Sequence, residues 1–162
     1  MEVRLEKATI SQKSVLRNLL ELYIYDFTEF EPIDVDEHGL YGYKYLDNYW
    51  TEENRYPFFI KVNGSYAGFV LIRKIDEDLF GNRVYSVAEF FVMKKYRRLG
   101  VGKRAANIIF NTFKGTWKVG QIKNNIPAQY FWRKVISEYT KGNFKEVREE
   151  NWNGPMQEFS NV

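Results

Sequence analysis

A basic loop that contains two glycines is the part of this sequence whose residues and spacing suggest chemistry. The segment Arg97–Gly102 reads RRLGVG. It follows an apolar stretch, rich in aromatic and β-branched residues, that is typical of a strand, and it precedes apolar residues at helical spacing. Such a loop is suited to bind a phosphate group, because the first turn of a helix has unpaired N–H donors and glycine lets the backbone approach closely.

Positive charge is concentrated around the same loop. The chain carries a net charge of +3, but the stretch from Phe90 to Ser137 contains eleven lysines and arginines and no acidic residue. That stretch therefore carries +11, and the rest of the chain carries −8. The asymmetry predicts that one face attracts a polyanion and another attracts a cation. A solvated basic surface without a ligand is the alternative.

Composition narrows the class of protein. With 162 residues and a hydrophobic fraction of 44%, residues 1–162 are expected to form a single domain. The chain has no cysteine and one histidine, His38, so a thiolate metal site and a cysteine nucleophile are excluded and we expect no metal. No apolar run is long enough to cross a membrane, and the charged N-terminus does not resemble a signal peptide. We expect a cytoplasmic location.

Hydrophobic periodicity and turn signals predict alternating strands and helices. A capping box at Thr9–Gln12 begins a first helix that runs to Phe27, and Asn63-Gly64 predicts a tight hairpin turn. The predicted strands are 2–7, 57–62, 65–73, 83–93, 116–122, 144–149 and 156–159, and the predicted helices are 9–27, 41–50, 100–115 and 127–139. This order indicates an α+β domain built on one twisted sheet.

Two segments together resemble the GNAT superfamily of N-acetyltransferases. Arg97–Gly102 matches that family's acetyl-CoA loop, Arg/Gln-x-x-Gly-x-Gly/Ala. Further along, Asn125–Trp132 reads NIPAQYFW and resembles the family's Asn-x-x-Ala-x-x-Phe/Leu-Tyr segment. The resemblance implies a twisted, mostly antiparallel sheet flanked by helices. It also implies that the strands near Val87–Met93 and Lys118–Ile122 splay apart.

The resemblance implies acetyl-CoA as co-substrate, bound in the opening between those two strands. Backbone groups around Val92 to Lys94 would pair with the pantetheine arm, Asn125 would contact the same arm, and Phe131 would line the pocket. The residues implied to bind the cofactor are Val92, Met93, Lys94, Arg97, Arg98, Leu99, Gly100, Val101, Gly102, Lys103, Asn125 and Phe131. The resemblance implies that an acetyl group passes directly to a primary amine in a ternary complex, and the lack of cysteine fits such direct attack.

Two residues are candidates for proton transfer. Glu89 is the one acid inside the predicted central strand, where it could act as general base through a water; a strand-face residue that meets solvent or a lysine is the alternative. The family's general acid is often a tyrosine four residues after the motif alanine, but here that position is Trp132, which cannot donate to a thiolate in this role. Tyr130 or another tyrosine could substitute, or water could assist the thiolate; for Tyr130, a packing or surface role is favoured over catalysis.

The acceptor and the rival functions remain open at this point. The acidic run Asp26–Glu37 lies where this fold places its acceptor-binding segment, so the acceptor, a small-molecule or protein amine, could be cationic. An acyl-CoA sensor without catalysis, or a nucleic-acid-binding module that uses the basic loop 94–104, are alternatives. The Gly100–Ala105 spacing also fits a dinucleotide pattern, but no acid follows about twenty residues later. Dimers are common among similar proteins, so a homodimer is possible.

Overall fold

The computed structural model describes residues 1–162 and contains one seven-stranded sheet with the order β1-β2-β3-β4-β5-β7-β6. The strands are β1 Val3–Lys7, β2 Arg55–Val62, β3 Ser65–Glu77, β4 Arg83–Val92, β5 Thr116–Gly120, β6 Lys145–Val147 and β7 Met156–Ser160. Every neighbouring pair is antiparallel except β4 with β5, which is parallel. This confirms the expected mixed, mostly antiparallel sheet.

Helices cover both faces of the sheet. They are α1 Lys13–Phe27, α2 Asn48–Thr51, α3 Val101–Thr112 and α4 Ile126–Thr140. On one face, Leu16 and Leu20 of α1 pack against Phe59 and Phe69 of the sheet. On the other face, residues of α3 and α4 pack around Trp117. Apolar faces of the sheet and of the helices are buried together, which is what stabilises this layered arrangement. None of the helices has the length and apolarity that crossing a membrane would require.

Local sequence signals explain several element boundaries. The capping box is present, with the Thr9 N–H donating to Gln12 Oε1 at 3.0 Å, and a short 3₁₀ turn there leads into α1. Asn63 and Gly64 both have positive φ angles, 48° and 82°, as the tight turn between β2 and β3 requires. Pro127 lies in the first turn of α4, where a missing N–H carries no cost.

The predicted aromatic helix over 41–50 is wrong for most of its length, because only α2 is helical there. The residues between α1 and α2, which we call the 28–47 segment, form turns and irregular backbone. Gly42 has a φ of 72°, which is incompatible with a right-handed helix. The Glu21 carboxylate accepts hydrogen bonds from the N–H groups of Tyr41 and Gly42, at 2.7 and 2.9 Å. A side chain from α1 therefore satisfies two main-chain donors of this irregular segment.

The sheet opens between β4 and β5. These strands pair only at Val84–Thr116, Tyr85–Trp117 and Ser86–Lys118, and β4 then continues to Val92 with no strand beside that edge. A bulge at Ala88 shifts the pairing of β4 with β3 at the point where the strands part, and bulges bend the strand that contains them. The Met93 N–H donates to the Ala67 carbonyl of β3, at 2.8 Å. By alternation, the main-chain groups of Val92 face the open edge.

Replacing Gly68 by alanine is expected to destabilise the protein by about 2–4 kcal/mol. A Cβ atom at Gly68 would lie 1.8 Å from the carbonyl oxygen of Phe91, so β3 and β4 would have to separate beside the open edge. Urea unfolding measures the effect. Gly81→Ala is the control: its φ is 78°, but its Cβ would meet nothing within 4 Å, so we expect only the left-handed backbone cost of about 1 kcal/mol. Equal losses in both variants would contradict the close-approach explanation.

Candidate functional site

The loop after β4 presents a run of free main-chain donors. Arg98 and Gly100 have φ angles of 61° and 79°, and α3 begins at Val101 with its first main-chain bond from the Arg104 N–H to the Gly100 carbonyl, at 3.1 Å. Successive N–H groups in such a turn form a concave surface for an anion. The N–H groups that donate to no protein acceptor are those of Arg98, Leu99, Gly100, Val101, Gly102 and Lys103.

Aromatic rings from β4 and α4 lie behind this loop. The Phe90 and Phe131 ring centroids are 5.7 Å apart, and the Trp132 ring lies 4.9 Å from Phe90. A Cβ atom at Gly102 would come within 3.1 Å of the Phe131 ring, so the absence of a side chain there lets α3 and α4 approach closely. The structure thus brings together two residues, Gly102 and Phe131, that sequence reasoning expected in one pocket.

Most basic side chains of the loop are paired with groups from distant parts of the chain. The Arg97 guanidinium donates to Asp26 Oδ2 of α1, at 2.6 Å, and to the Val92 carbonyl, at 2.7 Å. Lys103 forms an ion pair with Glu138 of α4. The sequence predicted a cluster of positive charge without acids. In the fold, however, carboxylates from other parts of the chain lie beside these cations. Only Arg98, among the basic residues of the segment 97–103, has a side chain without a protein partner.

The other residues expected to bind the cofactor differ in which of their polar groups are free to bind a ligand. The Val92 carbonyl is taken by Arg97, so its N–H is the group left at the open edge. The Met93 N–H is taken by Ala67, and Lys94 lies in a 3₁₀ turn with its side chain 4.0 Å from Asp26. Asn125 caps α4: its Oδ1 accepts the Ala128 N–H at 3.1 Å, which leaves only its amide NH₂ for another partner.

Glu89 is held by two tyrosine hydroxyls. Tyr23 of α1 donates to Oε2 at 2.5 Å, and Tyr43 of the 28–47 segment donates to Oε1 at 3.3 Å. Burial raises the pKa of Glu89 above its usual value; the two hydrogen bonds oppose this shift and the charge of Glu31 adds to it. Burial and the Glu89 charge also raise the pKa of both tyrosines, so they remain donors. No local motif links residues 66 positions apart, and sequence reasoning missed these contacts.

The second expected catalytic residue, Tyr130, is not near Glu89. Glu89 pairs with Leu71 and lies on the face of the sheet covered by α1, whereas α4 packs on the opposite face. Tyr130 is 71% exposed and forms no hydrogen bond. Trp132, at the position of the family's tyrosine, is buried against Phe90 and Phe131. The structure therefore brings no tyrosine of α4 to the carboxylate.

The acidic run also divides into paired and free carboxylates. Asp26 binds Arg97, and Asp36 accepts the N–H groups of His38 and Leu40 at 2.8 and 3.0 Å, which shapes the turn. The exposed carboxylates that form neither an ion pair nor a hydrogen bond are those of Glu29, Glu31 and Asp34. Of these three, Glu31 is close enough to raise the pKa of Glu89.

Comparisons with known proteins identify the family and the fold. The model of the acetyltransferase (GNAT) family matches residues 17–136. No curated protein gives a significant sequence match. Among solved structures, an acetyltransferase from Thermus thermophilus aligns with a TM-score of 0.71 at 11% identity, covering 98% of this chain and 96% of that chain. A GNAT-family acetyltransferase from Staphylococcus aureus aligns with a TM-score of 0.67 at 18% identity, covering 98% of this chain and 99% of that chain.

A third similar structure is an aminoglycoside acetyltransferase from an uncultured soil metagenomic sample, solved in complex with sisomicin. Its TM-score is 0.61 at 17% identity, over 82% of this chain and 86% of that chain. At these identities the structures show the fold alone. The family match covers most of the chain, so the chain belongs to the GNAT acetyltransferase family, whose members transfer an acyl group from acyl-CoA to an amine.

Proposed function

We propose that this protein transfers an acetyl group from acetyl-CoA to a primary amine by direct attack in a ternary complex, and that residues 1–162 act as one domain. The observation that carries the proposal is the run of free N–H groups from Arg98 to Lys103, placed at the end of the strand edge that β5 leaves open. Donors in this arrangement suit a diphosphate, and an unpaired strand edge suits an extended amide chain. Coenzyme A contains both groups.

Individual residues have distinct proposed roles in holding the cofactor. The N–H groups of the loop would bind the diphosphate, and the exposed Arg98 side chain would add positive charge there. The open edge of β4 would pair with the pantetheine arm, with the Asn125 amide NH₂ as a further donor. Phe131 would line the pocket beside Gly102, where no side chain blocks the approach.

The proposed chemistry needs one base and one oxyanion donor. The amine nitrogen attacks the thioester carbonyl carbon, so that a C–N bond forms and the C–S bond breaks. Glu89 accepts the ammonium proton, through a water, and the free Val92 N–H stabilises the developing oxyanion. Solvent supplies the proton for the departing thiolate in this scheme. Tyr130 stays a prediction for that role, and its exposure favours a surface residue.

The acceptor proposed here is a cationic amine. The exposed, unpaired carboxylates Glu29, Glu31 and Asp34 lie on the 28–47 segment, and the field of Glu31 reaches Glu89. Such a set of acids attracts a second positive charge on the acceptor. A similar structure carries the name of an enzyme that acts on aminoglycosides, which are polyamines.

An acyl-CoA sensor is the second candidate function. Trp132 is buried and stands where the family often has the tyrosine that acts as general acid, so the chain lacks one usual catalytic group. The N–H groups of the proposed cofactor loop are nevertheless all free. An enzyme would release CoA from acetyl-CoA when an amine is added, whereas a sensor would not, so this measurement distinguishes the two functions. A homodimer also stays a prediction, which light scattering can test.

Acetyl-CoA is expected to stabilise the protein by about 2.7 kcal/mol at one hundred times its Kd. Gly100→Glu should abolish this gain, because a carboxylate would face the diphosphate. Gly81→Glu is the matched control, since both glycines have positive φ and open space at Cβ. Thermal shift with acetyl-CoA, NADH and a short RNA makes the measurement. Stabilisation by RNA and not by acetyl-CoA would favour the nucleic-acid alternative over the proposed function.

Glu89→Gln is expected to lower kcat by about 10²–10⁴-fold and to leave the Kd for acetyl-CoA unchanged, because the amide cannot accept the proton. Activity of the unaltered protein should fall as pH decreases through the pKa of Glu89, which is raised above its usual value, since only the ionised carboxylate is a base. Glu53→Gln, at an exposed residue without an ion-pair partner, is the control. Wild-type kcat in the Glu89 variant would reject the base assignment.

Glu31→Gln is expected to raise the KM for 1,4-diaminobutane several-fold and to change the KM for butylamine little. The two amines differ only in the second positive charge, so the comparison isolates its recognition. CoA release at fixed acetyl-CoA measures both constants. Equal effects of the substitution on both amines would mean that the acidic segment does not recognise the second charge.

A further inference from the structure

The 28–47 segment reaches Glu89 through a single hydrogen bond. Tyr43 donates to Oε1 at 3.3 Å, whereas the rigid helix α1 supplies the shorter bond from Tyr23 to Oε2, at 2.5 Å. The segment has no helix or strand of its own, and its residues from Glu31 to Leu40 are all exposed. On the C-terminal side of Tyr43, the carbonyl of this residue accepts the N–H of the buried Leu46 at 3.2 Å, and a further contact holds the segment on the N-terminal side.

That contact is a two-point bond between Glu21 and the backbone just before Tyr43. The Glu21 carboxylate accepts the Tyr41 N–H at 2.7 Å and the Gly42 N–H at 2.9 Å. Hydrogen bonds to a charged acceptor are stronger than neutral ones, and two parallel bonds also fix orientation. Gly42 turns the chain with a φ of 72°, and the side chain of the next residue, Tyr43, reaches Glu89 on the sheet.

We propose that Glu21 and Tyr43 are positioning residues: Glu21 clamps the 28–47 segment onto α1 so that the Tyr43 hydroxyl orients Glu89 and stabilises its ionised form. This inference rests on the proposed role of Glu89 as general base. One of the two hydroxyls that hold the base is then supplied by the segment that carries the acceptor-side acids.

The groups that face Glu89 determine whether removal of the Tyr43 hydroxyl raises or lowers the pKa of Glu89. Tyr23 from α1 and Tyr43 from the segment donate to it, Glu31 from the segment repels its charge, and the buried Tyr49 from α2 lies beside Tyr43. A hydrogen bond to a carboxylate favours the charged form. Removing the Tyr43 hydroxyl must therefore raise the pKa of Glu89 and move the acid limb of kcat/KM to higher pH.

The test measures the Glu89 carboxyl directly by ¹³C NMR titration of protein labelled at glutamate Cδ, with the Glu89→Gln variant used to assign the signal. Tyr43→Phe is expected to raise the pKa of Glu89 by about half a unit to one unit, and Tyr23→Phe by more because its bond is shorter. Glu21→Gln should shift it in the same direction, because the amide keeps only one oxygen for the two N–H groups. Tyr25→Phe, which removes an exposed hydroxyl from α1, should leave it unchanged.

The double variant Glu21→Gln/Tyr43→Phe decides whether Glu21 acts through Tyr43. Its pKa shift should equal that of Tyr43→Phe alone; additive shifts would overturn the clamp. An unmoved pKa in Tyr43→Phe would overturn the inference and leave the proposed transferase function intact. The acid limb of kcat/KM with butylamine should move by the same amount as the NMR pKa. A Glu89→Gln variant with full activity would instead reject the base, and the positioning role with it.

Discussion

The site depends on one constraint, which is that β4 and β5 pair through three residues and then part. An opened sheet leaves main-chain groups without partners, and such groups are costly when buried. On one side the rings of Phe90 and Phe131 fill the space behind the opening. At the end of β4 the Arg97 guanidinium satisfies the Val92 carbonyl. The donors that stay unpaired are those at the open edge and in the following loop, so the same break in the sheet creates both halves of the proposed cofactor site.

The proposed base, Glu89, lies on the same strand and faces α1. Here the cost comes from burying a charge, whereas at the open edge it comes from unpaired main-chain groups. Burial disfavours the charge of Glu89, and the charge of Glu31 adds to the cost. The two tyrosine hydroxyls offset part of it, one from a helix and one from an irregular segment. A carboxylate in this balance has a pKa nearer to neutrality than an exposed one, which suits a group that must take a proton and then release it.

Local patterns were predictable from the sequence, and contacts between distant residues were not. The capping box at Thr9, the Asn63-Gly64 turn and the glycine loop each depend on a few consecutive residues, and each was predicted correctly. The helix expected over 41–50 failed because Gly42 adopts a φ of 72°, which a right-handed helix does not allow, and the chain is irregular until α2. The tyrosine pair around Glu89 joins three segments that no periodicity connects. The apolar strand pattern placed Glu89 on the correct strand but did not indicate its partners.

The distribution of charge in space also bears on what the basic loop recognises. The stretch without acids suggested a diffuse positive field, yet Asp26 and Glu138 return from other elements to pair with Arg97 and Lys103. Lys95, Arg98 and Arg104 have no acidic partner, so attraction at the loop combines these three charges with directional main-chain donors, which act over short distances and require a ligand of defined shape. A nucleic acid is bound chiefly through many exposed cations along an extended surface. The directional donors, together with the pairing of some of the cations, thus favour a compact diphosphate beside an extended chain over a polyanion held by charge alone.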